Sequence, residues 1–377
     1  MSKSLNFWEA VATLVGTIIG AGVLGIPFAI SKIGLLPGLA LIVILGIAVT
    51  FVHLMVGEMM LRTKEEHQIT GCIKKYIGRF WARLEYLSLV VGNYGALLAY
   101  VIGVGAVLSA IWGGEAKLYS VIFWICGSII LYFGLRWVKF IELLMVLGVC
   151  GVVIGIAAIS IPTLGDLTWL RSFEIQEVFV PYGVILFAFA GTSAIFSVKK
   201  ILDNERRMIK KAIVYSGFIV SAVYLLFSFI VIGVCGENVS EVATVGLGNT
   251  LGAALIIVGN IFAFFTLSTS FLSIGLGLRQ VFEYDVKMNK IVAWVLVVMI
   301  PFLLFSMGMF DFITILSVVG SLSFGVSGLL IIVAYHKARN AGERKPAYSL
   351  KRNFPVQVLL FFMFAAGIAY ALFDVLI

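Results

Sequence analysis

The chain has 377 residues, 62% of them hydrophobic and only 12% charged, with 27 Lys and Arg against 19 Asp and Glu for a formal net charge of +8. A water-soluble domain carries roughly 25% charged residues, so this chain lacks the polar side chains to cover a globular surface, and a lipid bilayer is its expected solvent. Apolar stretches of about 20 residues, enough to cross a hydrocarbon core of roughly 30 Å, recur along its whole length and leave no room for a folded extramembrane domain.

Eleven spans are predicted, at 7–31, 36–61, 83–111, 118–135, 138–161, 178–200, 211–235, 249–281, 289–307, 310–336 and 355–376. With the N-terminus inside, every Lys and Arg except Lys32, Lys117 and Arg171 falls on the cytoplasmic side. That partition follows the positive-inside rule. The basic excess therefore reports orientation, and no nucleic-acid partner is expected. An odd number of spans puts the C-terminus outside. Cys72 falls in a cytoplasmic loop, Cys126 and Cys150 lie within spans, and only Cys235 approaches the outer face, so no internal disulfide is expected. The first apolar segment is too long for a cleavable signal peptide and reads as a retained span.

In the first span, the run from Gly16 to Pro27 (GTIIGAGVLGIP) sets four glycines and a proline at bilayer depth. Gly16 and Gly20 also suit close helix packing alone. The second span carries His53 and Glu58. Glu58 stands four residues before Arg62, a spacing that fits a pair on one helix face and leaves proton carriage open. In the third span Tyr100 can face a site or pack between helices. The fifth holds Lys139 and Glu142 near its inner end. The sixth opens on Pro181-Tyr182-Gly183 and places Phe187-Ala188-Phe189-Ala190-Gly191-Thr192-Ser193-Ala194 at mid-membrane. Thr269 and Ser270 lie in the eighth span, and Asp311 starts the tenth as a helix cap.

The first and sixth spans each begin a group of five. Because five is odd, the second group enters the membrane in the opposite direction, as an inverted repeat requires. Lipid tolerates a helix interruption only where it lines a cavity or is buried in protein. Interruptions at matching places in two repeats are a pointer to a transporter's substrate site. Free N–H groups at a helix start suit an anion and free carbonyls suit a cation, and a zwitterionic amino acid presents both.

Three segments carry a family resemblance: Gly16 to Ala29 (GTIIGAGVLGIPFA), Leu186 to Ile213 (LFAFAGTSAIFSVKKILDNERRMIKKAI), and Thr269-Ser270-Phe271-Leu272 with Gly275-Leu276-Gly277-Leu278. The chain resembles the amino acid/polyamine/organocation transporter superfamily, in particular its amino acid/auxin permease and hydroxy/aromatic amino acid permease families. The resemblance implies an all-α integral membrane protein of the LeuT type. Its eleven transmembrane helices would form a 5+5 inverted repeat in a single transporter domain, with repeat one at 6–161, repeat two at 178–336, discontinuous first and sixth helices, and an extra C-terminal helix at 355–376.

It further implies that a substrate carboxylate meets the backbone N–H groups of Ala21, Gly22 and Val23. Carbonyls near Gly16 and Thr17 in the first span, and Phe187 and Ala190 in the sixth, would hold the amino group. Gly20, Gly191 and Thr192 complete the two breaks, and Tyr100 matches a family tyrosine facing them. In sodium-coupled relatives, hydroxyls at the positions of Thr269 and Ser270 join carbonyls here belonging to Gly16 and Ile19 around Na⁺. Such hydroxyls also bond to their own helix carbonyls. Some sodium-coupled members carry Asn where Gly16 stands. Some proton-coupled relatives place a Lys deep in the fifth span, where this chain has Lys139 only at the cytoplasmic end. Na⁺ and H⁺ both stay open as the coupling ion, and no other cofactor is expected.

No Asp, Glu, Lys or Arg lies beside either break in the sequence, which disfavours cationic and dicarboxylate substrates. A lining of Leu24, Tyr100, Phe187, Phe189 and Phe265 would be apolar and aromatic. The expected activity is secondary transport of a neutral, hydrophobic or aromatic amino acid by a monomer in the plasma membrane. A sensor that binds the same ligand without moving it is the alternative. No nucleophile with a base, metal-spaced His cluster or phosphate loop argues for an enzyme, and no ring of pore charges argues for a channel.

Overall fold

A computed structural model describes residues 3–133, 151, 155, 175–308, 311–351 and 354–376, and these are helical with short connections. The predicted fifth span at 138–161, with Lys139, Glu142 and Cys150, lies outside the described residues apart from two isolated positions, as does Arg171.

The first span is two helices, α1 (Lys3–Ile18) and α2 (Gly22–Ser31), bent by 56° at a break of three residues. Then come α3 (Leu35–Arg62), α4 (Ile69–Ile77), α5 (Arg79–Trp112) and α6 (Ala116–Phe133). The sixth predicted span is likewise divided, into α7 (Phe179–Ala188) and α8 (Ala194–Ile201). It is followed by α9 (Ile209–Cys235), α10 (Ala243–Leu251), α11 (Ala253–Gln280) and α12 (Lys290–Met307). The tenth predicted span is α13 (Phe312–Val319) and α14 (Gly325–Ala341) joined through a π-helical turn, and α15 (Phe354–Leu376) ends the described chain. Eight described helices are long and apolar enough to cross a membrane, nine with the bent first pair.

Two helices fall where the sequence predicted loops. The basic stretch 63–82 contains α4, whose Ile69, Cys72 and Ile73 are buried while its lysines face outward. The apolar residues recur at helical spacing, but nine residues are too few to span. Burial pushes the Cys72 thiol up to about 11. The stretch 236–248, predicted as an outer loop, contains most of α10, and Cys235, expected near an exposed outer face, is buried. Gly78 (φ 105°) and Gly252 (φ 99°) make the tight joints from α4 to α5 and from α10 to α11, a conformation that a β-carbon disfavours.

The paired broken helices form the centre. α1 packs on α8 and α9, and α2 on α7 and α9, while α3 packs on α9 and α14. On the other side α5 packs against α6, α11 and α13. Two indole bonds tie α6 to α12, from Trp124 Nε1 to Val298 O at 2.9 Å and from Trp294 Nε1 to Ser128 O at 2.8 Å. Asp311 caps α13, its Oδ1 accepting from the Thr314 N–H at 2.7 Å.

At the end of the bundle predicted to be cytoplasmic, residues 342–351 are strapped across the end of α3. The Glu343 N–H donates to Arg62 O, Arg344 Nε to Leu61 O, and Tyr348 OH to Leu54 O. Glu58 is fully buried beneath the strap and accepts from Arg62 Nη2 (2.7 Å), Tyr335 OH (3.0 Å), Ser349 Oγ (2.9 Å) and the Leu350 N–H (2.7 Å). Its expected pairing with Arg62 is present, and both carboxylate oxygens are engaged. At the strap's start Glu343 takes Lys75 Nζ at 2.7 Å and the Lys64 N–H at 2.8 Å, and those donors, Lys75 first, hold its carboxyl below the usual range.

Candidate functional site

The two breaks meet each other. α1 stops at Ile18 because Gly20, Ala21 and Gly22 interrupt the helical register. The Gly20 N–H turns back to Ile18 O at 2.9 Å, and the next bonds are Val23 N–H to Gly20 O (3.4 Å) and Leu24 N–H to Ala21 O (3.1 Å). α7 stops at Ala188, with the Ala190 N–H on Phe187 O (3.1 Å) and the chain resuming at Ala194 N–H to Gly191 O (3.0 Å). Among the described residues, no backbone bond is donated by Ala21, Gly22, Gly191, Thr192 or Ser193, and none outside the helices reaches the carbonyls of Gly16, Thr17 or Ala190. Neither α2 nor α8 has a side-chain cap. Backbone donors and acceptors therefore stand together inside the bundle without regular partners.

Missing side chains hold the breaks in register. A Cβ on Gly22 would lie 2.7 Å from the Ala188 Cα, and one on Gly191 would collide with the Ile18 side chain. Each break thus seats on the end of the opposite helix. Gly22→Val is expected to cost about 1–3 kcal/mol of stability, the range for overpacking a close contact. It should also remove ligand-induced thermal stabilisation, and wild-type melting with full stabilisation would show that the contact is dispensable.

Tyr224 of α9 joins the two helix ends. Its fully buried hydroxyl lies 3.1 Å from Ile18 O and 2.7 Å from Ala188 O, the last residues of α1 and α7. One O–H thereby serves both carbonyls exposed by the breaks. Phe189 packs edge-on against the Tyr224 ring, with centroids 5.0 Å apart, and Tyr100 is buried and close enough to interact electrostatically with Tyr224.

The remaining expected residues are distributed unevenly. Leu24 and Phe187 are buried, Phe187 against Phe324 at 6.0 Å. Phe265 is 45% exposed on the outside of α11 and does not line the centre, because it points away from the side that packs on α5. A Cβ on Gly20 would lie 3.3 Å from Ser270 Oγ, which brings the first break against α11. Thr269 Oγ1 donates to Phe265 O at 2.9 Å, so its proton stays within its own helix while its oxygen lone pairs remain. His53 is buried against the second break, its Cε1 3.6 Å from where a Gly191 Cβ would stand.

Two broken helices meeting within a bundle of long apolar spans define a class, the multi-span membrane proteins with helix interruptions buried in the bundle. Residues 3–374 match the Tryptophan/tyrosine permease family, and the chain belongs to it. It is 25% identical to Tyrosine-specific transport system 1 of Haemophilus influenzae over 75% of this chain and 74% of that one. It is 22% identical to Glutamine transporter 2 of Aliivibrio fischeri over 84% and 85%. Vacuolar amino acid transporter 7 of Saccharomyces cerevisiae is 24% identical over 60% of this chain, and the match spans about half (49%) of the yeast protein. The protein is thus an amino acid permease by family and not an enzyme.

Sequence reasoning missed Tyr224 and passed over Glu85, which is fully buried in α5. Glu85 is the lone acid of the predicted third span, a signal that was available. Tyr224 has no local signal, because its role depends on a hydroxyl reaching two carbonyls far away in the chain.

Proposed function

We propose that this protein is a secondary active transporter for neutral amino acids, with aromatic ones preferred, working by alternating access. The fold proposed with it is a single domain of eleven spans in a five-plus-five inverted repeat, 6–161 and 178–336, with an extra helix at 355–376. It would sit in the plasma membrane with its N-terminus cytoplasmic and C-terminus outside, and act as a monomer. The observation that carries this reading is the pair of seated breaks, whose free N–H and C=O groups match a zwitterion. In the proposal the substrate carboxylate takes the N–H groups of Ala21 and Gly22. The weakly bonded N–H of Val23 joins them when its 3.4 Å contact to Gly20 opens. The ammonium takes the carbonyls of Gly16, Thr17 and Ala190, with Phe187 O beside them, and Tyr100 closes the side. Gly16, Ile19, Thr269 and Ser270 form a candidate Na⁺ set, and H⁺ is the other coupling ion.

The names of two relatives, one for tyrosine and one for glutamine, agree in specifying uncharged side chains. Purified protein in liposomes loaded with L-tyrosine, L-tryptophan or L-glutamine is expected to exchange internal for external label. L-arginine and L-glutamate should not exchange. Exchange of no amino acid under any Na⁺ or pH gradient, by monodisperse protein, would sink the reading. Thermal stabilisation by L-tyrosine without exchange would favour a sensor instead.

A further inference from the structure

Glu85 lies within α5, fully buried, where the transport reading gives it no task. Its Oε1 accepts from Ser327 Oγ of α14 at 3.0 Å, and its Oε2 has no partner among the described residues. No described Lys, Arg or His forms an ion pair with it. Of the elements packed on α5, which are α4, α6, α10, α11, α12, α13, α14 and the π turn, only α14 presents a polar group that acts on this carboxyl, the Ser327 hydroxyl. Charges carried on these elements do not act on it. Lys75 of α4 pairs with Glu343, Arg279 of α11 with Glu283 at 3.1 Å, and Arg83 on α5 itself is exposed.

Ser327 also lines a small, partly open cavity of about 30 Å³, together with His53, Ala190, Thr192 and apolar side chains that include Leu186 and Phe324. Ala190 and Thr192 belong to the second break. His53 is buried with its Nε2 unpartnered, and no charged group acts on it from α2, α4, α7, α8, α9 or α14, which pack on α3. A space of that size admits a water or two when polar groups surround it. Thr192, His53 and Ser327 are the polar side chains in an otherwise apolar lining, and each can take and pass a proton. An unpaired carboxylate in an apolar interior costs several kcal/mol, far more than a carboxylic acid. Ionisable residues within spans mark ion and proton paths.

We propose that Glu85 is the proton-binding residue of the transport cycle, reached from the sixth-span break through the cavity that Thr192, His53 and Ser327 line. A proton arriving in the cavity binds the Ser327 oxygen as the hydroxyl's own proton passes to Glu85 Oε1. Release runs the same O–H exchange backwards, and the net reaction is carboxylate plus proton giving carboxylic acid. Glu85 and Ser327 sit on α5 and α14, whereas His53 and Thr192 sit on α3 and the α7–α8 break. Any motion of the broken helices against α5 therefore opens or closes the route. The inference rests on the transport reading and selects H⁺ as the coupling ion.

The test compares wild type with Glu85→Gln in liposomes, using L-tyrosine and an internal pH-sensitive dye. Gln imitates the neutral acid, so tyrosine exchange, which needs no net proton movement, is expected to persist. Accumulation driven by a pH gradient and tyrosine-dependent proton entry should both be lost, and Ser327→Ala should slow both. Proton entry by Glu85→Gln at the wild-type rate would overturn the proposal, as would equal loss of exchange and accumulation in well-folded Glu85→Gln, which marks a structural carboxyl. If wild type exchanges no amino acid, the transport reading fails on its own. Infrared difference spectra on a pH change then decide the proton site: a carboxyl band absent from Glu85→Gln supports it, and an unchanged band overturns it.

Discussion

Replacing Glu58 by Ala is expected to destabilise the protein by about 3–5 kcal/mol, the range for removing one partner of a buried ion pair. Glu58 sits at no helix break, yet it organises the end of the bundle where residues 342–351 cross α3. Its two oxygens hold Arg62 on their own helix, Tyr335 on α14, and Ser349 and Leu350 in the strap. Deleting it leaves a half-buried guanidinium, a buried N–H and a tyrosine hydroxyl without their acceptor, and each then bears its own desolvation cost. Glu58→Gln keeps the shape and one acceptor and should lose less. The strap should also loosen from α3, exposing the ground beneath α4 where Cys72 is buried. Two measurements follow: thermal unfolding of detergent-purified protein, and the rate of maleimide labelling at Cys72. Wild-type melting and labelling in Glu58→Ala would show that the remaining contacts of 342–351 suffice.

Tyr224→Phe is expected to separate the two breaks energetically while keeping the ring that packs on Phe189. The hydroxyl is the described side-chain donor to both Ile18 O and Ala188 O. Ile18 O retains the Gly20 N–H, but Ala188 O loses its donor in a buried setting. A buried group left unsatisfied costs about 1–3 kcal/mol, and the loss falls where the backbone is already least bonded. Stability should therefore drop modestly. The larger effect should be on transport, with the apparent affinity for L-tyrosine weakened because the N–H and C=O groups of the two breaks are no longer held in one arrangement. Binding by thermal shift and exchange in liposomes, measured side by side, check this. A variant that melts lower yet binds and exchanges as wild type would assign Tyr224 to packing alone.

How far the sequence was legible depends on the range of the interaction concerned. Spans such as α3, α9 and α12 fall within a few residues of their predicted limits, because apolar length is set residue by residue. Both breaks were also legible, since Gly20-Ala21-Gly22 and Gly191-Thr192-Ser193 weaken helix locally. α4 and α10 were not, because short helices at a membrane surface carry neither the length of a span nor a loop's composition. Phe265 was misplaced for a related reason, as hydropathy cannot distinguish the lipid side of α11 from its protein side.

By itself the sequence determined the solvent, the predicted orientation of the basic loops and the two points where helix could not continue, all of which follow from local composition. The tertiary structure alone decided that Gly22 seats on Ala188 and Gly191 on Ile18, that Tyr224 bonds both helix ends, and that Glu85 meets Ser327 beside a cavity reaching Thr192. Those contacts join residues far apart in the chain. Inside a bilayer an unpaired polar group has no water to turn to, so each such group must find its partner, or its function, elsewhere in the fold.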